Sequence, residues 1–353
     1  MKNVNNIFLV FIKIIAIFAA IAMLMSILAC FINPAKYWIF QLFGLFFHII
    51  FISNIIIVII LRLVKSKFAY VNLFVVVISL LYIGRFFQIS GSKASNDEET
   101  LKIITYNVHS FRNIDNNKKA TYDEIAAFLL DENADIICLQ EYSIARNALS
   151  ENKNLQKLYQ QYKYSYGACG GQKIFSKYPF VDKQNFDLAG THVVFADINI
   201  DGKIVRTYSC HLQSTNFNPD HTQQRLSADN ANYERELKRV VVNLRGAFIK
   251  RAAQVELIAQ NIEKSPYPTV VCGDFNDTPM SYSYQKIRGQ MNDTFVEAGF
   301  GIPSTYKKLF SILRIDYIFT HKNITTVEYS VASQVKCSDH YPVVVKFKMK
   351  NEK

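Results

Sequence analysis

TVVCGDFNDTP, Thr269 to Pro279, is the stretch whose reading decides the fold. It opens as a β-branched apolar run, the pattern of a buried strand, and Gly273 then frees the backbone to turn. Asp274 and Asn276 follow two residues apart, so both project toward one side of the chain, where a carboxylate and an amide can hold a water or a metal-bound anion. Taken alone, the same letters also read as an acidic turn leading into Pro279. What the other strand ends carry decides between the two.

Composition divides the chain. Of the formal net charge of +11 over 353 residues, +8 lies in residues 1 to 93, which hold eight Lys or Arg and no Asp or Glu. The remainder is nearly balanced, so the overall basicity is no argument for a nucleic-acid partner. Ile7 to Ile32, Trp38 to Leu61 and Phe68 to Phe87 are long apolar runs, each of a length that crosses about 30 Å of hydrocarbon as a helix. They predict about three transmembrane helices, with Arg85 snorkelling to the interface at the end of the third. The first run is too long for the core of a cleaved secretion signal. Arg62, Lys65 and Lys67 cluster between the second and third runs, and the positive-inside rule puts them in the cytoplasm. The expectation is a multi-pass integral membrane protein partnered by a lipid bilayer; in a bacterium, it would sit in the inner membrane with an extracytoplasmic soluble domain.

Residues 90–100 (Ser90 to Thr100) are small and polar and read as a linker between a membrane region, residues 1–89, and a soluble domain, residues 101–353. From Leu101 short strand-like runs alternate with turns and helices, which suggests a mixed sheet covered by helices. Gln223 to Lys264 predicts a long helix in which Arg235, Lys238, Arg239 and Arg251 contribute to a basic series, most simply a solvated face. Cys138, Cys210 and Cys272 fall in strand-like runs as core residues, and a Cys169–Cys337 disulfide stays open.

Five further strand ends give Asp274 and Asn276 company. ITYNVHSF places Asn107 at a strand end, CLQEY places Glu141, YSCHLQS places His211, RIDYIF holds Asp316, and CSDHYPVVVKF holds Asp339 and His340 before the last strand. In each, a strand-forming run delivers a metal-capable or proton-handling side chain to its tip. His109 could share one side of its strand with Asn107, but it reads as a surface or structural residue.

Asn107, Gln140-Glu141, His211, Gly273-Asp274-Phe275-Asn276, Asp316-Tyr317 and Ser338-Asp339-His340, taken in order, resemble the motif series of the endonuclease/exonuclease/phosphatase superfamily. The resemblance spans about residues 101 to 349. It implies an α+β fold, a four-layer α/β/β/α sandwich of two packed mixed sheets with the site at one end. It also implies a phosphoric ester hydrolase that uses a divalent metal, magnesium or manganese. Glu141, with Asn107 and Asp339, would hold the metal, and Asp274 would deprotonate the attacking water. Asn276 would fix that water, His340 and His211 would contact phosphoryl oxygens, and Asp316 would orient His340. The His before Leu-Gln at 211–213 sets the chain apart from the abasic-site endonucleases. A lipid headgroup, a nucleic acid and a small soluble ester all remain as substrates, and a tethered binding module that lost catalysis is the reading of another class.

Overall fold

The computed structural model describes residues 2–92, 100–112, 121–167, 171–187, 192–215, 232–308 and 312–350. Cys169 and the greater part of the linker lie outside them, as do residues 223–231 of the predicted long helix.

The N-terminal quarter is helical: α1 (Lys2–Leu28), α2 (Pro34–Tyr37), α3 (Ile39–Leu45), α4 (Phe47–Leu63) and α5 (Ala69–Ile83). Among the described residues one helix is long and apolar enough to cross a membrane, with Leu9–Leu28 as its 20-residue core of mean hydropathy 2.6. This corrects the expectation of about three full spans. The second apolar run is broken between α3 and α4 by a 72° bend, and the third forms a helix of only 15 residues. Hydropathy registers the apolar letters but not the bend, which seats Gly44 against the backbone of Met280; a Cβ on Gly44 would lie 2.3 Å from that carbonyl oxygen.

α1, α4 and α5 pack on one another with their polar groups turned inward. Asn72 Nδ2 donates to Asn54 Oδ1 (2.9 Å) and to the Ala16 carbonyl (2.9 Å), and Asn54 Nδ2 donates to the Ala19 carbonyl (3.0 Å). Phe18, Phe74 and Leu81 face outward.

The rest of the chain runs β1 (Leu101–Asn107), α6 (Tyr122–Glu132), β2 (Ile136–Tyr142), α7 (Ala148–Glu151), α8 (Lys153–Gln161), β3 (Tyr164–Gly167), β4 (Gly171–Ser176), β5 (Phe180–Asp187), β6 (His192–Ile200) and β7 (Lys203–His211). It continues as α9 (Tyr233–Glu263), β8 (Thr269–Asp274), α10 (Tyr282–Arg288), β9 (Asn292–Asp293), α11 (Thr294–Ala298), β10 (Asp316–Thr320), β11 (Ile324–Val331) and β12 (Val343–Met349). The strands form two sheets, ordered β11-β12-β1-β2-β4-β3 and β5-β6-β7-β8-β10-β9. β1 with β2 and β7 with β8 are the parallel pairs, and the other neighbours are antiparallel, so both sheets are mixed.

Side chains alternate between two buried faces, which is why these strands read as continuous apolar runs. Ile103, Ile136 and Cys138 of one sheet meet Val194, Val270, Cys272 and Ile318 of the other. On the outer faces Ile104, Ile137 and Leu139 pack with Ile125, Leu129, Leu155 and Leu158 of α6 and α8, whereas Val271 and Phe319 pack with Val255, Ile258 and Tyr284 of α9 and α10. Helix, sheet, sheet and helix make four layers. The cysteines expected in the core are there: Cys138, Cys210 and Cys272 are fully buried. Arg251, grouped with the basic helix residues from sequence, is instead buried on the inner side of α9 against Asp277 (3.1 Å).

Gly273 shows how tightly the central strands are drawn together. Its φ is +136°, and a Cβ there would lie 1.9 Å from the Cys210 carbonyl oxygen of β7. Gly273→Ala would force β7 and β8 apart, at a cost on the order of 3 kcal/mol. A urea midpoint followed by circular dichroism is expected to fall accordingly, and an unchanged midpoint would contradict this packing.

Candidate active site

The period of two along a strand places the site. Ile103, Val270, Cys272 and Ile318 point between the sheets, and by the same alternation so do Asn107, Asp274 and Asp316. β1 and β2 end where β7 and β8 end, β10 begins there, and residues 338–340 lead into β12 at the same edge. Asp274 is paired in register with His211 on one side and Asp316 on the other. All the residues singled out from sequence therefore meet at one end of the cleft between the sheets.

Glu141 needs a further device, because it falls one residue out of phase with the inward positions of β2. Its φ is +52°, and the β2–β4 register breaks between Leu139 and Tyr142. This local twist brings Glu141 Oε1 to 3.1 Å from Asn107 Nδ2, with the side chain 31% exposed. Gln140 keeps the inward phase and ties the sheets together, donating from Nε2 to Ser209 Oγ at 3.1 Å.

Asp274 is buried and well furnished with donors. Its Oδ2 accepts from Asn107 Nδ2 (3.0 Å) and Asn276 Nδ2 (3.2 Å), and its Oδ1 accepts from the Asn276 N–H (2.8 Å). His340 Nε2 and His211 Nε2 stand off the same Oδ2 at 3.6 and 3.7 Å. Asn276, at φ +52°, also donates to the Leu212 carbonyl, so it fixes the carboxylate and the turn together.

Behind Asp274 lies a buried dyad, with His340 Nδ1 at 2.9 Å from Asp316 Oδ2. Burial opposes a charge on His340, but Asp316 and Asp274 outweigh it and push the imidazole up to about 10. Burial raises the Asp316 carboxyl to about 6, the pull of His340 notwithstanding, and Asp274 adds to the rise. Each member of the pair thus favours the charged form of the other against the opposing effect of burial. Thr305 Oγ1 accepts the Asp316 N–H (3.1 Å), and the Tyr306 ring lies 5.0 Å from the imidazole.

Asp339 is on the opposite, more open side, and His109 joins it. His109 Nδ1 is 3.3 Å from Asp339 Oδ1 and 3.8 Å from Glu141 Oε2, which brings this residue, read from sequence as a surface or structural one, beside the site carboxylates. The cause is a tight turn in which His109, Ser110 and Phe111 all take positive φ. Its spacing of two from Asn107 was the visible signal; the turn that aims the ring was not. Thr305 and Tyr306 had no comparable signal.

Hard oxygen donors are available for a divalent cation at Glu141 and Asp339, where negative charge is gathered and partly open to solvent, and His109 stands between them. Asn107 presents its Nδ2, not its oxygen, to Glu141, because its Oδ1 accepts the His109 N–H (3.0 Å). Asp274, Asp316 and His340 form a second group whose ligand atoms lie within 4.8 Å of one another. His211 Nε2 is buried with no hydrogen-bond partner among the described residues, a donor or acceptor aimed at the space between Glu141 and Asp274.

The chain is similar in fold to many solved structures. They include an endonuclease/exonuclease/phosphatase from Beutenbergia cavernae (18% identity, TM-score 0.52, 72% of each chain covered). Another is TDP2 of D. rerio complexed with single strand DNA product (16%, 0.51, 71% of this chain and 99% of that one). A third is a mannosyl-6-phosphatase from Bacteroides thetaiotaomicron (17%, 0.50, 70% and 99%). No curated protein matches the chain. Residues 6–86 match the model of a domain of unknown function. Residues 104–340 match the model of the Endonuclease/Exonuclease/phosphatase family, and the chain belongs to that family of phosphoric ester hydrolases.

Proposed function

We propose that this chain is a membrane-anchored, divalent-metal-dependent phosphoesterase that cleaves its substrate by attack of an activated water on phosphorus. The observation that carries this reading is the meeting of four carboxylates and three imidazoles at one end of the cleft, with Asp274 at the centre. Asp274 takes the proton of the water as its oxygen bonds to phosphorus, and Asn276 and Asn107 hold that carboxylate in place. The P–O bond to the leaving group breaks in the same displacement. His340, kept charged by Asp316, and His211 donate to the phosphoryl oxygens as negative charge builds there. Glu141 and Asp339, with Asn107 and His109 beside them, would hold a magnesium or manganese ion. Bound there, the ion would neutralise phosphoryl charge. The Asp274, Asp316 and His340 group suits this less well, since ligation there competes with an existing buried ion pair.

The anchor would be residues 1–89 and the catalytic unit residues 101–353. The inward-facing Asn54 and Asn72 and the outward Phe18, Phe74 and Leu81 invert the soluble pattern and support burial of the helical unit in a bilayer, with α1 as its span.

Fold likeness does not choose among substrates, since one similar structure holds a DNA product and another is a mannosyl-6-phosphatase. A position in the chain favours a lipid headgroup. Met280 packs among Ala20, Met23, Ile27, Phe47 and Val75 of the helical unit, six residues beyond Asp274. Six residues reach at most about 20 Å, so the site lies close to the anchor.

Two measurements test this on the full-length chain in detergent. Hydrolysis of bis-p-nitrophenyl phosphate with magnesium should be abolished by chelator and fall at least about 100-fold in Glu141→Ala and Asp274→Ala. Absence of turnover would leave a non-catalytic binding module, and undiminished turnover in chelator or in both variants would overturn the metal and residue assignments. With the protein reconstituted into vesicles, phospholipid or sphingolipid headgroup hydrolysis should exceed cleavage of plasmid DNA or RNA added outside; the reverse order would make the chain a nuclease.

A further inference from the structure

We propose that the N-terminal helical unit is a positioning element of the active site as well as an anchor, and that Arg85, seconded by Gln41, holds the loop that carries Asp274 and Asn276 into α10. This rests on the hydrolytic reading of the site but not on the membrane. Arg85 Nη1 donates to the Pro279 carbonyl (3.0 Å) and Nη2 to Gln285 Oε1 (3.0 Å). Its guanidinium lies over the rings of Tyr82 and Tyr284 at 4.9 and 5.0 Å. Rather than snorkelling to an interface, as its place at the end of an apolar run suggested, Arg85 is committed to the catalytic unit.

The attachment reaches β8 and β10. Arg314 Nη2 donates to the Arg85 carbonyl (3.0 Å), and Arg314, two residues before Asp316, is held by Asp293 in a buried two-point ion pair (2.7 and 2.9 Å). One residue of the helical unit thus contacts the loop after β8 and the chain entering β10, the two strands that supply Asp274 and Asp316. Gln41, itself buried, donates to the Ala29 carbonyl (2.7 Å) and accepts the Tyr282 N–H (3.2 Å), meeting an N–H of the first turn of α10 that has no partner within the helix. Met280 fills a socket of the helical unit, and Gly44 leaves no room for the loop to shift toward it.

The opposite side of the loop is held from within the catalytic unit. Asp277 Oδ2 accepts from Arg251 Nε (3.1 Å) and Ser283 Oγ (2.9 Å), and the Tyr317 hydroxyl donates to the Asp277 carbonyl (2.8 Å). Asn276 therefore sits at the end of a six-residue segment clamped from two directions. Releasing one clamp frees the turn that sets the orientation of the Asp274 carboxylate, and a displacement of about 1 Å there is enough to reduce turnover strongly.

The test uses the full chain in detergent with bis-p-nitrophenyl phosphate and magnesium. Arg85→Ala should lower kcat at least tenfold with KM within twofold, Arg85→Lys should recover part of that loss through the Pro279 carbonyl, and Gln41→Ala should lower kcat less. Asn72→Ala, which weakens the helical unit away from the loop, should keep wild-type kcat. Independently of turnover, the Tyr282 amide should exchange with deuterium at least tenfold faster in Gln41→Ala and Arg85→Ala, while the amides of β7 keep their rates. Unchanged kcat in Arg85→Ala and Gln41→Ala, or an equal loss in Asn72→Ala, would overturn the proposal. A wild-type chain without hydrolysis would instead defeat the functional reading, leaving the exchange measurement to decide whether the helical unit orders the loop.

Discussion

A carboxylate buried to 1% exposure must be surrounded by donors, and the donors of Asp274 come from across the whole sandwich. Asn107 donates to it from the first sheet and Asn276 from the turn after its own strand, while the imidazoles of His211 from the parallel neighbour β7 and of His340 from the approach to β12 stand 3.7 and 3.6 Å off the same oxygen. Each contact fixes one strand end relative to another, so the two sheets cannot slide without leaving a buried charge unpaired. Gly273 permits the closest of these approaches, and Gln140 with Ser209 repeats the cross-link one layer deeper. Packing between Ile103, Cys138, Val270 and Ile318 supplies the bulk of the cohesion, but the polar end specifies the register.

The catalytic unit was legible because its grammar is local. Apolar runs such as residues 101–106 and 269–272 announce strands, and the polar residue that ends each one is placed by the period of two. Glu141 was found by its motif, although strand phase alone would have sent it to the wrong face; its positive φ corrects that and leaves no trace in the letters. His109 was set aside for the same kind of reason, since only the unusual turn at 109–111 brings its ring to Asp339. The helical unit was read less well. Hydropathy could not foresee the bend between α3 and α4, nor that Arg85 would be taken up by Pro279 and Gln285, because both are consequences of docking onto a surface nearly two hundred residues later in the chain.

That docking changes how the two compositional halves are understood. A sharp shift in charge and polarity near residue 93 suggests separable modules joined by a linker. Yet Gln88 and Gly301 form a bridge, the Gly91 N–H donates to the Gly299 carbonyl, and Arg245 of α9 lies over Trp38 at 6.0 Å. The residues just before the polar stretch are therefore paired with the catalytic unit rather than free of it. Composition reports the solvent each part faces; it does not report where one folding unit stops.

Within the site, charge is graded from base to rim. At the base, Asp316 is matched by the imidazolium of His340, and burial makes that pairing necessary, since neither group could hold its charge there alone. Asp274, midway, accepts from the amides of Asn107 and Asn276, with the imidazoles of His340 and His211 standing 3.6 and 3.7 Å from its Oδ2. Glu141 and Asp339, at 31% and 13% exposure, have a single imidazole between them. The uncompensated charge thus collects at the mouth, where a cation can enter from water, while the compensated charge lies where only a proton need move. A phosphate arriving at this gradient meets the carboxylates of the rim, a repulsion that a cation bound between Glu141 and Asp339 would offset.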